Sequence, residues 1–303
     1  MKNPAFSIVI TTYNRIGLVG RAIRSALGQQ FPNSEVIVVD DASTDGTAEY
    51  IQKEFPDVHY LRQETNRGAG AGRNWGIREA TNPWVVILDD DDELLPDALK
   101  EIAHQIVSFY DVNSFPVLQF AHANGFIPEP YLLIRLEHYL GGTLKGDFVP
   151  VINRNVFIER GFAYSETLSV GEHLLWWRIA QLCGIPTWSK RVAVIHDDAP
   201  IRLTSPENQI KRAKAYAELQ ELTLKEFGEL LEAQYPSIYQ TKCLGAAAYW
   251  LLAGNRLRAR EYASIMLRDK PSVKPAILWV LSFMPYYLIR RTFLAYRQLT
   301  REV

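Results

Sequence analysis

Cysteine is scarce. Cys183 and Cys243 are the only two in 303 residues, which excludes a disulfide framework or a zinc site of cysteine spacing and suits a reducing compartment. An excess of one charge is also missing. Lys and Arg total 33 against 34 Asp and Glu, for a formal net charge of −1, so no global basic field exists for nucleic acid and none is expected as a partner. Long hydrophobic runs are few. The first, Phe6 to Ile10, is too short for a signal-peptide core and lacks a small-residue cleavage site. A cytoplasmic location is therefore the default expectation.

What remains is an ordinary globular composition, 48% hydrophobic and 22% charged, long enough for one large domain or a medium domain with an appendage. Phe6–Thr11, Glu35–Asp40, Val58–Arg62, Trp84–Leu88 and Val117–Phe120 read as strands. Leu18–Leu27, Thr44–Phe55, Ala71–Ala80 and Pro96–Phe109 read as the helices between them. Strict alternation implies βαβ units around a mostly parallel sheet. Val36-Ile37-Val38-Val39 is apolar on both faces, as a sheet covered on both sides requires. Ala123–Gly146 is irregular and could shape an acceptor pocket. Leu174–Cys183 then reads as a helix and Thr187–Ile195 as a strand.

After Pro206 the pattern is helical. Glu207–Gln234 reads as one long helix, and Ile238–Ala253 with Leu257–Arg268 as a hairpin stopped by Gly254. The expected division is 1–205 and 206–303. The last stretch, Pro275–Leu299, is aromatic and carries Arg290, Arg291 and Arg297. Its uncharged run to Ile289 is too short to span a bilayer, and Pro285 interrupts it. Two readings stand: a helix covering the core, or an interfacial helix making peripheral contact with the inner face of the cell membrane.

The chemistry concentrates at strand ends. Four aspartates, Asp89 to Asp92, follow Leu88 at once. A charge run is commonly a solvated loop. In an open α/β sheet, however, ligands bind beyond the carboxyl ends of the strands. Adjacent carboxylates repel, and Mg²⁺ or Mn²⁺ takes oxygen ligands and bridges them to phosphates. In an extended segment Asp89 and Asp91 share a side, which places one metal between them.

Strand 1 ends in Thr11-Thr12-Tyr13-Asn14-Arg15 and strand 2 in Asp40-Asp41-Ala42-Ser43-Thr44-Asp45-Gly46. Ser43 or Thr44 can cap the next helix and Asp45-Gly46 can turn, which leaves the two aspartates unexplained. Asn66-Arg67-Gly68-Ala69-Gly70-Ala71-Gly72-Arg73 offers close backbone approach, helix N–H groups for an anion and two cations, or simply a turn. A dinucleotide fingerprint would need Gly-x-Gly-x-x-Gly after the first strand, and neither place nor spacing fits.

In this order, Ser7 to Arg15, Val38 to Thr47, Asn66-Arg67-Gly68 and Leu88 to Asp92 resemble the family 2 glycosyltransferases of the GT-A fold. The resemblance covers about residues 5–200. It implies an α/β GT-A domain, a Rossmann-like sheet flanked by helices, that binds a nucleotide sugar, with UDP the expected nucleotide. Thr11, Tyr13 and Asp40 would contact base and ribose, and Arg67 with Gly68 would lie near base or phosphates. Asp89 and Asp91 would form the D-x-D motif, with Asp91 the direct ligand of Mn²⁺ or Mg²⁺, Asp89 also nearer the ribose, and Asp90 beside the donor. His196 would join the metal or diphosphate, and Arg202 would help neutralise the latter. Transfer would invert the anomeric centre, toward a saccharide or lipid-linked saccharide.

The family's base motif is Glu-Asp ahead of a Leu-Trp-x-Arg helix. Here stands Gly171-Glu172-His173-Leu174-Leu175-Trp176-Trp177-Arg178. One register puts His173 at the base position. The other preserves the helix phase, puts Glu172 there and is preferred. A carboxylate at a helix start can take the acceptor's proton, or can simply favour the helix dipole. Two competing functions stay open. A nucleotidyltransferase would show a glycine-rich basic motif after strand 1, where Thr12-Tyr13-Asn14 stands instead. A non-catalytic nucleotide-sugar binder would follow from the departure at Glu172.

Overall fold

A computed structural model describes residues 4–168, 171–196, 205–269 and 272–299. The chain divides into two compact units, Met1–Ala199 and Pro200–Val303.

In the first unit the alternating elements form as expected: β1 (Phe6–Thr12), α1 (Val19–Leu27), β2 (Ser34–Asp40), α2 (Thr47–Glu54), β3 (His59–Arg62), α3 (Ala69–Glu79), β4 (Trp84–Asp89). After β4 come β5 (Glu93–Leu94), α4 (Ala98–Ser108), β6 (Val117–His122), β7 (Tyr131–Ile134), α5 (Leu136–Leu140), β8 (Phe148–Asn153), α6 (Arg154–Glu159), α7 (His173–Leu182) and β9 (Ile185–Val194). The sheet runs β3-β2-β1-β4-β8-β6-β9-β5, with β7 paired to β9. Its first four strands are mutually parallel, while β8 is antiparallel to both β4 and β6. The sheet is thus parallel in the half that carries the motifs and mixed beyond.

Side-chain alternation along β1 and β2 explains the layers. Phe6, Ile8, Ile10, Val36 and Val38 pack with Val19, Ile23, Ile51, Leu99 and Ile102 from α1, α2 and α4. Val9, Ile37 and Val39 face the other way, in one cluster with Ile77, Phe157, Leu175 and Ile179 from α3, α6 and α7. On α1 the buried Val19, Ala22, Ile23 and Ala26 recur at i, i+3, i+4 and i+7, the stripe of a helix with one apolar face.

The glycines of α3 serve this packing. A Cβ on Gly76 would lie 2.4 Å from Val9 Cγ1, and one on Gly70 would lie 2.2 Å from the Ser165 carbonyl oxygen. Adding a methyl at Gly76 would overpack the β1–α3 contact at a cost of about 1–3 kcal/mol.

The second unit is helical: α8 (Pro206–Lys211), α9 (Ala213–Gln234), α10 (Pro236–Leu252), α11 (Arg256–Asp269), α12 (Val273–Leu281) and α13 (Tyr286–Leu299). The expected single helix over Glu207–Gln234 is two, parted at Arg212. The hairpin forms, with Gly254 at φ +83 between its helices. Ala213, Ala217, Trp250, Leu251, Ala259 and Ile289 make its core. Among the described residues no helix is long and apolar enough to cross a membrane.

Candidate active site

The polar clusters meet because their strands are neighbours. β1 lies between β2 and β4, with Thr11 opposite both Val39 and Asp89. The loops after these strands therefore share one edge of the sheet.

The β1 and β2 loops lock together. Asn14 and Ala42 have positive φ, +52 and +65, a strained region for alanine that its surroundings must enforce. The enforcing bonds run across the loops: Asn14 N–H to Ser43 Oγ at 2.9 Å, and Thr44 N–H to Asn14 Oδ1 at 2.7 Å. Ser43 thus holds Asn14 and does not cap α2. Asp45, one residue ahead of the N-cap Gly46, holds the helix start instead, accepting from Thr47 N–H at 3.1 Å and Thr47 Oγ1 at 2.5 Å. Desolvation works against the Asp45 carboxylate, yet these donors hold its carboxyl below the usual range.

Asp40 is fully buried. Its Oδ1 accepts from Ser43 N–H at 2.8 Å and its Oδ2 from the Tyr60 hydroxyl at 2.7 Å. Asp41 accepts from Arg67 N–H and Gly68 N–H, each at 2.7 Å. These backbone N–H groups ahead of α3, expected to face an outside anion, are therefore satisfied by the chain's own carboxylate. The Arg67 guanidinium turns to Glu166, 2.7 Å away. Tyr13 is exposed, while Thr11 is buried at the base of the loop.

The acidic run does not continue as an extended strand. Asp92 N–H bonds the Asp89 carbonyl at 3.2 Å, a turn that folds the chain back after β4. Carboxylate oxygens of Asp89, Asp91 and Asp92 consequently lie within 4.8 Å of one another. Asp92, which alternation had put on the opposite side, thus joins the pair. Asp90 is buried and lies 3.3 Å from Arg15, whose Nη1 also donates to Asp91 at 2.6 Å. Arg21 donates to the Asp91 carbonyl at 2.7 Å.

Arg73 is the residue the strand-end reading undervalued. Its side chain is 8% exposed. It donates to Asp89 at 2.6 Å with one nitrogen and bonds Glu172 with the other. It also lies over the Tyr164 ring, 5.3 Å from the centroid. The Glu172 carboxylate, at the N-cap of α7, is thereby tied to the first aspartate of the run. His173 instead packs edge-on against Trp177 at 5.4 Å. His196 Nε2 lies 2.9 Å from Glu93, outside the aspartate trio. Arg202, Asp197 and Asp198 fall outside the described residues.

Among the described residues, negative charge is crowded at this edge. Burial pushes Asp90 up to about 7, with Asp91 and Asp89 adding to the effect against Arg15. Burial and then Asp89 and Asp91 push Asp92 up to about 8. Desolvation would raise Asp89 too, but Arg73 outweighs it and holds that carboxyl below its ordinary value. Among the described residues, the guanidiniums of Arg15 and Arg73 reach the carboxylates of Asp89, Asp90 and Asp91, Arg21 reaches the Asp91 carbonyl, and Glu172 shares Arg73. A hard divalent cation fits this all-oxygen set in ligand type and in charge. His122, at the end of β6, is a further neighbour that motif reading missed. Its Nε2 is 3.8 Å from Asp92, and burial pushes its imidazole toward the neutral form.

The comparisons with known proteins give the family. Residues 7–165 match the family described as Glycosyl transferase family 2, and the chain belongs to that family of glycosyltransferases. It is 31% identical over 206 residues to the succinoglycan biosynthesis protein ExoO of Rhizobium meliloti. That match covers 60% of this chain and 57% of ExoO, so the chain spans little more than half of that relative. It is 25% identical over 299 residues to the GalNAc(5)-diNAcBac-PP-undecaprenol beta-1,3-glucosyltransferase of Campylobacter jejuni, over 95% of this chain and 96% of that protein. In fold it resembles S. aureus TarS 1-349 in complex with UDP-GlcNAc, with a TM-score of 0.58 and 20% identity over 92% of this chain and 79% of that one. It also resembles the mannosyltransferase PcManGT of Pyrobaculum calidifontis in complex with GDP-Man and Mn²⁺, with a TM-score of 0.53 and 19% identity over 97% and 86%.

Proposed function

We propose that the chain transfers a sugar from a nucleotide sugar, a UDP-sugar first among them, to a saccharide hydroxyl, free or lipid-linked, with inversion. The observation that carries this reading is the Arg73 bridge, which joins Glu172 to Asp89 across one guanidinium. A carboxylate for the acceptor's proton and carboxylates for the donor's diphosphate end are thereby neighbours. Residues 1–205 carry the reaction and 206–303 form the helical region. The site acts on the cytoplasmic side, at the inner face of the membrane if the acceptor is lipid-linked.

In this reading Thr11, Tyr13 and Asp40 form the floor and wall for base and ribose, Asp40 by fixing its loop. Arg67 and Gly68 border the same pocket, and Asp90 supports it from beneath. Asp89 and Asp91, with Asp92, would hold Mn²⁺ or Mg²⁺, and His196, beside Glu93, would join the metal or diphosphate from outside that trio. When bound, the ion supplies positive charge against the departing diphosphate. Glu172 takes the proton of the acceptor hydroxyl as its oxygen bonds the anomeric carbon. The bond from that carbon to the diphosphate oxygen breaks on the opposite face. His173, held on Trp177, is the weaker candidate for that proton.

Support for the donor class comes from the fold neighbours solved with UDP-GlcNAc and with GDP-Man. Support for a lipid-linked acceptor comes from the Campylobacter relative, whose match extends through the helical region. A screen of UDP- and GDP-sugars for metal-dependent nucleotide release tests the reading. Release with a UDP-sugar, lost in Glu172→Gln, is expected. Release from GDP-sugars alone would overturn the nucleotide, and full turnover in Glu172→Gln would overturn the base.

A further inference from the structure

The second unit carries a surface that sugar transfer does not explain. On α12, Val273, Ile277 and Val280 recur at i, i+4 and i+7 and all are exposed, Val273 at 73%. The connector adds exposed Phe283 (55%) and Met284, and α13 opens with exposed Tyr286 and Tyr287 (67%). Pro275, Ser282 and Ile289 point inward from the same stretch. A packed helix pair would bury such residues, and exposed apolar side chains gathered in one short stretch mark an interaction surface.

The charges choose the partner. From Ser272 to Leu299 there are four cations, Lys274, Arg290, Arg291 and Arg297, and no acid. Lys274, Arg290 and Arg291 are exposed. A second copy docked face to face would set these cations against their own images. An anionic lipid surface accepts them while its acyl boundary takes the aromatic rings. At nine residues α12 is too short to span a bilayer, so the surface can only lie on one.

We infer that the face formed by α12, the 282–285 connector and the start of α13 docks the protein onto an anionic lipid bilayer, with Phe283 and Tyr287 inserted among headgroups and Arg290 and Arg291 paired to lipid phosphates. Sedimentation of the full chain with vesicles tests this. The vesicles are phosphatidylcholine with about 30% phosphatidylglycerol, or phosphatidylcholine alone, at about 0.1 M salt. Wild type binds the anionic vesicles at least about tenfold more tightly than the neutral ones. The double variants Phe283→Ser/Tyr287→Ser and Arg290→Glu/Arg291→Glu each lose about tenfold or more on anionic vesicles. All these positions are exposed, and because Phe283 also packs against Trp279 and Arg260, a thermal melt of each variant checks that the fold is kept.

Wild type that fails to bind, or binds both vesicles equally, overturns the proposal, as does either variant binding like wild type. A concentration-dependent dimer that Phe283→Ser/Tyr287→Ser abolishes, with vesicle binding intact, also overturns it and assigns the face to a second copy. Vesicle binding needs no sugar transfer, so failure here and failure of the proposed activity are separate results.

Discussion

Two acidic groups stand at the ends of β2 and β4, on either side of β1, and the chain supplies them with different donors. Asp40 and Asp41 have each of their four oxygens bonded by an internal donor: Ser43 N–H, Tyr60 hydroxyl, Arg67 N–H and Gly68 N–H. Among the described residues Arg15 and Arg73 reach Asp89 to Asp91, and burial and mutual repulsion push Asp90 and Asp92 toward neutrality; burial raises Asp41 too, but there two backbone N–H groups oppose it. A satisfied carboxylate sets the shape of a loop. A crowded one awaits charge from outside. Similar sequence, two aspartates after an apolar strand, therefore shapes a loop at one strand end and, in the proposed function, holds the ligand's metal at the next.

The sharpest way to break this comparison is to remove one member from each group. Asp91→Ala is expected to lower transfer by on the order of 10³-fold with little change in the melt. Glu172→Gln is expected to lower it by on the order of 10²–10⁴-fold. Mn²⁺ should raise the melting temperature of wild type and of Asp41→Asn but not of Asp91→Ala. A metal response lost in Asp41→Asn and kept in Asp91→Ala would invert the assignment of the two groups.

Arg73 comes next, because it belongs to the crowded group yet is itself buried. Arg73→Met leaves Asp89 and Glu172 facing each other without their shared cation. Both carboxylates are about half exposed, so the loss is discounted for solvent to about 2 kcal/mol. Arg73→Lys keeps the charge but cannot span both carboxylates with a planar fork. Denaturant unfolding checks the first, and kcat at saturating donor checks the second. Equal kcat in Arg73→Lys and wild type would remove the bridge from the catalytic account.

Much of this was legible in the sequence, and the exceptions have physical reasons. The first four strands and three helices fell within a few residues of their places because apolar runs and alternation are local signals. Strand β8 escaped because Pro150 sits in its middle. It is tolerated where it pairs with Gln119 of β6, because pairing with β4 begins only at Val151. Strand β7 and helix α5 were hidden inside the irregular stretch by their shortness. Asp92 escaped because a turn replaced the extended backbone on which alternation depends. The roles of Arg73 and Arg15 depend on partners as distant as 99 and 76 residues along the chain, a separation that no local pattern reports.

A smaller effect sharpens the satisfied side. Asp41→Asn keeps one carbonyl oxygen but sets an NH₂ donor against the N–H of Arg67 or Gly68. It should cost about 1–3 kcal/mol in denaturant unfolding and lower transfer far less than Asp91→Ala does. A loss of activity equal to that of Asp91→Ala would show that the loop it anchors is part of the chemistry.

The smallest effect belongs to a third carboxylate, at the opposite end of β2 and far from any proposed ligand. Glu35 accepts from Ser7 Oγ at 2.5 Å and from Thr81 N–H and Oγ1, each at 2.8 Å. Desolvation would raise its carboxyl, but these bonds outweigh it and hold the folded value below the ordinary 4.5. A depressed folded value means stability that is fully present above the unfolded value and lost as pH falls through the folded one. Glu35→Gln should therefore be less stable than wild type near neutrality, by no more than about 1 kcal/mol because the site is partly exposed. The gap should close as pH drops below about 4.5. Urea unfolding at paired pH values measures it. A gap that widened toward acid would mean that the bonds to Ser7 and Thr81 favour the protonated form, and that Glu35 is not a satisfied carboxylate of the kind seen at Asp40.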